Sequence, residues 1–277
     1  MNYRHAFHAG NFADLAKHAA VGLLLDALLS KSAPLSIVDT HAGAGIYDLA
    51  GIMPRKSGEA EAGVLRLMAD PSAPEAFAGL KAAVLRLNRG GAIQLYPGSP
   101  RLVAERLRPG DSYLGADIQP EDLALLQQAL ALVGGQARAV LTDGYDLAAE
   151  QAQRPGRLFV LVDPPFERAD DYDRAAALAA DVLRRKGDAV LAIWAPLKDM
   201  ETFDRFIRRL EADAGRPADV AELRLRALNN PLRMNGCAMV FFNAPREVLQ
   251  ALKPALDWIA DRLGEPGAEA RLWRAGD

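Results

Sequence analysis

The tetrapeptide Asp163-Pro164-Pro165-Phe166 carries the clearest chemistry in this chain, because it follows directly on an apolar run, Phe159-Val-Leu-Val162. Such a run is too short for a helix and is ended by proline. It predicts a buried strand of a parallel sheet, with Asp163 just beyond its carboxyl end. In open α/β sheets, ligands lie at that edge. The residue types suit alkylation of a flat, weakly nucleophilic amine. In the exocyclic NH2 of a nucleobase the lone pair is delocalised into the ring. The Asp163 carboxylate and the Pro164 main-chain carbonyl can accept both amine hydrogens and localise it. Proline fixes φ and has no N–H to compete for either acceptor. Phe166 is expected to stack on the base. The competing reading is an ordinary Asp-Pro turn, since both are common turn residues.

Three more carboxylates fall at predicted strand ends: Asp39, Asp117 and Asp143. Asp39 opens the loop Asp39-Thr-His41-Ala-Gly43-Ala-Gly45, whose glycines allow a tight turn and close approach of backbone amides to a ligand. The spacing is not that of the dinucleotide fingerprint, and no glycine-rich Lys-Ser/Thr loop occurs. The loop therefore suits an adenosine-type cofactor without phosphate. Asp117 can accept both ribose hydroxyls of a nucleoside. Asp143-Gly144 can read an adenine edge through carboxylate and amide. Each aspartate alone is unremarkable; four in chain order are a stronger signal.

The elements that must hold these residues alternate. Strands are predicted at Leu35–Asp39, Tyr113–Ala116, Ala137–Leu141, Leu158–Val162, Ala189–Trp194, Val220–Ala227 and Ala238–Asn243. Helical patterns occupy Ala13–Leu29, Glu121–Leu132, Tyr172–Arg185, Glu201–Ala212 and Arg246–Leu263. Alternation of this kind predicts an α/β fold with a mainly parallel seven-stranded sheet, helices on both faces, and an antiparallel edge. The interval between the first two strands is too long for a βα unit. Helical patterns at Glu59–Met68 and Pro74–Asn88 fill part of it. Residues 50–95 are thus expected to form a small helical insertion within a single domain spanning residues 1–277. Ser99 and Pro100 then read as N-cap and first residue of a helix.

Composition narrows the classes. The chain has 277 residues, half of them hydrophobic and a quarter charged, which is ordinary for a globular protein. Cys237 is the only cysteine, so a disulfide framework and a cysteine metal cluster are excluded. No stretch is apolar enough for a signal core or a membrane helix, and a soluble cytoplasmic protein is expected. A net charge of −3 argues against non-specific nucleic-acid binding. Arginine groups such as Arg184-Arg185 and Arg205, Arg208 and Arg209 are at helical spacing and read as solvated faces. All four histidines, His5, His8, His18 and His41, lie near the start, and Asp14 and His18 share a helix face. Their spacing matches no established zinc site, so no metal is expected.

In combination these motifs resemble class I S-adenosylmethionine-dependent methyltransferases of the amino-methylating kind, which have a Rossmann-like fold. Asp39-Thr-His41-Ala-Gly43-Ala-Gly45 is similar to their Asp-x-Phe-x-Gly-x-Gly loop, with His41 in place of the aromatic. Asp163-Pro-Pro-Phe166 resembles their catalytic tetrapeptide. The block from Tyr3 to His18 (Tyr-Arg-His-Ala-Phe-His-Ala-Gly-Asn-Phe-Ala-Asp-Leu-Ala-Lys-His) is similar to the opening of the RlmJ family, bacterial 23S ribosomal RNA adenine-N6-methyltransferases. The likeness continues through Tyr96-Pro-Gly-Ser99-Pro100 and Met234-Asn-Gly236, and so covers nearly the whole chain.

That resemblance implies S-adenosylmethionine as cofactor, contacted by His18, His41, Gly43, Ser99, Asp117, Asp143, Gly144 and Asp163. It implies that Tyr3 touches RNA near the target adenine. At position 117 the family can carry Glu, so the shorter Asp117 implies a longer or water-mediated ribose contact. The implied substrate is protein-free 23S rRNA, met early in ribosome assembly by a monomer with no obligate protein partner. Guanine N2 and DNA adenine N6 are the rival targets of the same tetrapeptide. A histidine-site metal hydrolase and a non-catalytic nucleic-acid-binding protein are more distant rivals.

Overall fold

In a computed structural model, residues 8–51, 57–168, 170–228, 230 and 232–276 are described. The central sheet is built around β6 (Arg157–Val162), whose last five residues are all buried. It pairs in parallel with β1 (Leu35–Asp39) on one side and β7 (Val190–Leu197) on the other. Both faces of such a strand are covered, which is why its sequence is a continuous apolar run and not an alternating one. Beyond β1 lie β4 (Ser112–Asp117) and then β5 (Ala137–Leu141), both parallel. Beyond β7 the direction reverses at β9 (Gly236–Phe242), which also pairs with β8 (Asp219–Arg224).

The sheet has eight strands and not the expected seven, in the order β10-β8-β9-β7-β6-β1-β4-β5. The additional strand, β10 (Glu269–Arg274), runs antiparallel to β8 at the edge. Its sequence, Glu-Ala-Arg-Leu-Trp-Arg, is half charged and resembles a tail. At a sheet edge that charge is tolerated, and it discourages pairing with another chain. β7 runs past the predicted Trp194 through Pro196. Its pairing with β6 ends at Ile193, so Pro196 lies where β9 is the only neighbouring strand, the kind of edge position at which proline is tolerated.

The pattern at Ala13–Leu29 reads as an amphipathic helix, yet α1 (Phe12–Leu29) is buried continuously from Ala13 to Val21, with Asp14, Lys17 and His18 among the buried residues. Between β1 and β4 the chain forms a short antiparallel pair, β2 (Ile46–Asp48) with β3 (Leu95–Pro97). The described residues between them include four helical pieces. A π-turn, Glu61–Leu65, runs into α2 (Arg66–Ala69), and a 3-10 turn, Glu75–Phe77, leads into α3 (Ala78–Leu87). Val64, Leu67 and Phe77 from this segment are fully buried. Phe77 meets Trp258 edge to face at 5.5 Å, and Trp258 donates its indole N–H to Asp70 at 2.8 Å. The remaining helices are α4 (Ser99–Ala104), α5 (Pro120–Ala131), α6 (Gly144–Gln151), α7 (Asp171–Arg185), α8 (Met200–Ala214) and α9 (Arg246–Leu263).

Ser99 is not the N-cap of α4. Gly98 takes that position, and Ser99 is the first helical residue. The cause is tertiary: an N-cap hydroxyl would accept from an amide of the first turn, whereas the Ser99 hydroxyl is turned to Asp39, donating to Oδ2 at 2.7 Å. Among the described residues no helix is long and apolar enough to cross a membrane.

Candidate active site

Asp163 follows the last residue of β6, as the apolar run predicts, and one of its carboxylate oxygens accepts from Lys17 Nζ at 2.6 Å. Lys17 also bridges to Asp14 at 3.0 Å, and both side chains are almost completely buried. Asp14 in turn accepts from the Gly10 amide at 2.9 Å. Burial alone would push the Lys17 ammonium down. The Asp14 and Asp163 carboxylates outweigh that and hold it well above the usual lysine range. The Asp163 side chain keeps 14% exposure, so the cluster opens to solvent at this one carboxylate and is closed at Lys17 and Asp14.

Asp39 at the end of β1 is fully buried. It accepts from Ser99 at 2.7 Å and from the Tyr113 hydroxyl at 3.2 Å. Its carboxyl is raised from 3.8 to about 6, chiefly by burial. The Ser99 hydrogen bond opposes that and the neighbouring Asp163 charge adds to it. A folded-state value above the unfolded one means that folding takes up a proton between the two. The contribution of Asp39 is therefore most favourable below about 4 and is lost as pH rises through about 6. Asp39→Asn keeps an acceptor for Ser99 and carries no charge. Relative to the unsubstituted chain it is expected to gain roughly 3 kcal/mol between about pH 4 and about pH 7.5. Thermal unfolding of both proteins at the two pH values checks this. An equal Tm difference at both would refute it.

The glycine loop is tied to the end of β4 through the Asp117 carboxylate. The Gly43 amide donates to Asp117 Oδ2 at 3.1 Å, and the Gln119 amide to Oδ1 at 2.7 Å. Gly43 has φ +62°, and a Cβ there would fall 2.4 Å from the Tyr47 hydroxyl. At the end of β5, Asp143 caps α6 through the Tyr145 amide at 2.9 Å and pairs with Arg174 at 2.5 Å. The Arg174 guanidinium also lies 4.2 Å from the Tyr145 ring centroid. Gly144 packs so tightly that a Cβ would fall 1.9 Å from the Thr40 carbonyl oxygen. The turn after β1 and the start of α6 are thereby pressed together. His41 shares a 2.7 Å hydrogen bond with Thr40 and meets Tyr145 edge to face at 5.0 Å. Burial lowers its imidazole to about 4, so it is neutral near pH 7.

Two expectations meet a different arrangement. Phe166 was expected to offer its ring to a base, yet it is 4% exposed and packs against Tyr172, Trp194 and Phe206, with ring centroids 4.5 to 6.2 Å away. Its φ of +50° turns the chain after the two prolines and drives the side chain inward. His18 is buried, sharing a 2.7 Å hydrogen bond with the Tyr96 hydroxyl and stacking on that ring. Tyr3, implied as the RNA contact, lies outside the described residues.

Residues 32–275 match the family model described as "Ribosomal RNA large subunit methyltransferase D, RlmJ". The chain belongs to the RlmJ family. "Ribosomal RNA large subunit methyltransferase J" of Escherichia coli (strain K12) is 31% identical over 268 residues, covering 96% of this chain and 95% of that protein. The protein of the same name from Haemophilus influenzae is 31% identical over 269 residues, with the same coverage. Among solved structures, protein LPL1258 from Legionella pneumophila str. Philadelphia 1 superposes with a TM-score of 0.89 at 23% identity. The match covers 98% of this chain and 99% of that one, a likeness of fold. This chain is thus an RlmJ-family methyltransferase, and that membership implies S-adenosylmethionine as its methyl donor.

The residues of this RlmJ-family site fit such a donor. A loop with φ-positive glycines and neutral His41 lies between carboxylates at the ends of β1, β4 and β5, and carries no cluster of phosphate-binding cations. That donor set suits a ribose diol, an adenine edge and a positive sulfonium. Among the described residues no group of His, Cys, Asp and Glu side chains is arranged to hold a metal. Sequence reasoning overlooked Lys17, Asp14 as its partner, and Arg174. A signal for Lys17 is present in the sequence: Asp14 stands three residues before it in a mostly apolar helix, and a buried lysine must be paired.

Proposed function

We propose that this chain transfers a methyl group from S-adenosylmethionine to the N6 amine of one adenine in 23S ribosomal RNA. The observation that carries this reading is the partly exposed Asp163 carboxylate at the end of β6, anchored from behind by the buried Lys17 ammonium. When bound, the cofactor supplies a methyl group made electrophilic by its sulfonium. Asp163 and the Pro164 carbonyl would accept the two hydrogens of the target amine, turning its lone pair toward that methyl group. Asp163 would hold or take the amine's proton during or after transfer. Most of the acceleration would then come from positioning, with no covalent enzyme intermediate.

The target base would have to leave its stack to reach Asp163. Phe166 supports the tetrapeptide from the core in this scheme, and Tyr3 would approach the RNA beside the target. His18, His41, Gly43, Ser99, Asp117, Asp143 and Gly144 would surround the cofactor, with His18 and Ser99 acting through Tyr96 and Asp39. The RNA target follows the names of the Escherichia coli and Haemophilus influenzae relatives. The protein would work as a monomer in the cytoplasm, before ribosomal proteins cover the RNA.

The test is incubation with S-adenosylmethionine and unmodified, protein-free 23S RNA, followed by nucleoside mass spectrometry. N6-methyladenosine at one position is expected. N2-methylguanosine would overturn the target assignment, and methylation of DNA alone would overturn the RNA reading.

A further inference from the structure

Resting on the methyl-transfer reading, we propose that Glu59, in the insertion, is a positioning residue for that reaction. It acts through Asn11 and the first turn of α1 to set Lys17 against Asp163. Glu59 lies 48 residues beyond Asn11, and its two carboxylate oxygens are divided between two donors. Oε2 accepts from the Asn11 amide at 2.8 Å, and Oε1 shares a 2.8 Å hydrogen bond with His8 Nδ1.

Asn11 is the N-cap of α1. Its other side-chain atom, Oδ1, accepts from the Ala13 and Asp14 amides at 2.9 and 3.0 Å. A single side-chain amide therefore links the insertion to the backbone of Asp14. The next turn of the insertion reinforces the link. The Val64 amide donates to the Gly10 carbonyl at 2.8 Å. Gly63 lies so close that a Cβ there would fall 2.1 Å from the same oxygen. The amide of Gly10 in turn donates to Asp14, which bridges to Lys17. From Glu59 to Asp163 the path is continuous: Glu59, Asn11, Asp14, Lys17, Asp163.

Exposed carboxylate pairs usually contribute little to stability. Glu59 and His8 are partly exposed, so a large stabilising role is not the point of this contact. Its leverage is geometric. Asn11 sits six residues before Lys17, at the start of the helix whose pitch decides where the ammonium meets Asp163. Small misplacements of reacting groups have disproportionate effects on rate, with about 1 Å costing about a hundredfold.

The test measures single-turnover and steady-state methyl transfer to RNA, cofactor binding and Tm in parallel for Glu59→Ala, Glu59→Gln and the neighbouring control Glu61→Ala. Glu59→Ala is expected to lower the transfer rate about 10- to 100-fold while leaving cofactor affinity and KM for RNA nearly unchanged. Glu59→Gln, which keeps one acceptor oxygen, should fall between, and Glu61→Ala should match the unsubstituted chain. A full transfer rate in Glu59→Ala would overturn this inference alone. So would a raised KM at unchanged kcat, which would make Glu59 an RNA contact, or loss of cofactor binding with a collapsed Tm, which would make it merely structural. If Glu59→Ala does not fold, Glu59→Gln decides by the same criteria. No adenine methylation by the unsubstituted chain would instead sink the reading on which this rests.

Discussion

Asp163→Ala is expected to reduce adenine methylation by at least about a thousandfold while changing cofactor affinity by less than about tenfold. The asymmetry follows from where Asp163 sits. It follows β6 with part of its carboxylate exposed, whereas the Asp117 and Asp143 carboxylates are fixed by the Gly43, Gln119 and Tyr145 amides, none of which involves Asp163. Removing the Asp163 carboxylate deletes the acceptor for the target amine and leaves those bonds intact. Single-turnover transfer and calorimetric cofactor binding on the same sample check both halves. Turnover within tenfold of the unsubstituted chain would rule out Asp163 as the group that orients the amine.

Lys17→Met is expected to be costly in a second way. The ammonium lies between two carboxylates, one buried and one mostly so, and methionine keeps the apolar stem but removes the charged end. Breaking a buried ion pair by removing one partner typically costs about 3 to 5 kcal/mol, because the remaining charge is left uncompensated. Asp14 retains its bond from the Gly10 amide, so part of that cost is moderated. The variant should unfold at lower temperature and denaturant, and transfer should fall by at least about a hundredfold because Asp163 loses its anchor. Paired chemical denaturation and transfer assays check this. A Lys17→Met protein as stable and as fast as the unsubstituted chain would show that the ammonium neither holds the fold nor sets Asp163.

The two variants separate positions that differ in how visible they are in the chain. Asp163 is legible because its neighbours explain it: an apolar run must be a buried strand, and proline must end it. Asp39, Asp117 and Asp143 are legible for the same reason, since strand ends in a parallel sheet lie along one edge. Lys17 has no such local context. It stands 146 residues from Asp163, and only the packing of α1 beside the end of β6 brings the two together. The direction of the Phe166 side chain is not legible, because the sequence shows its type but not the sign of its φ. Ser99 was misread because a serine before proline satisfies a local capping rule, and a buried carboxylate elsewhere in the fold was a stronger partner.

By itself the sequence determined the alternation of strands and helices, the parallel core, the helical character of residues 61–69 and of Ala78–Leu87, and the row of carboxylates. Each depends on periodicity or on residues adjacent in the chain. Burial, charge pairing and side-chain direction were decided only by the tertiary structure. It buried Phe166, drew Ser99 to Asp39, added β10 at a charged edge, and joined Asp14, Lys17 and Asp163 into one cluster. These depend on which distant groups meet in a low-dielectric interior, where an unpaired charge is costly enough to dictate its partner and a local pattern cannot name that partner.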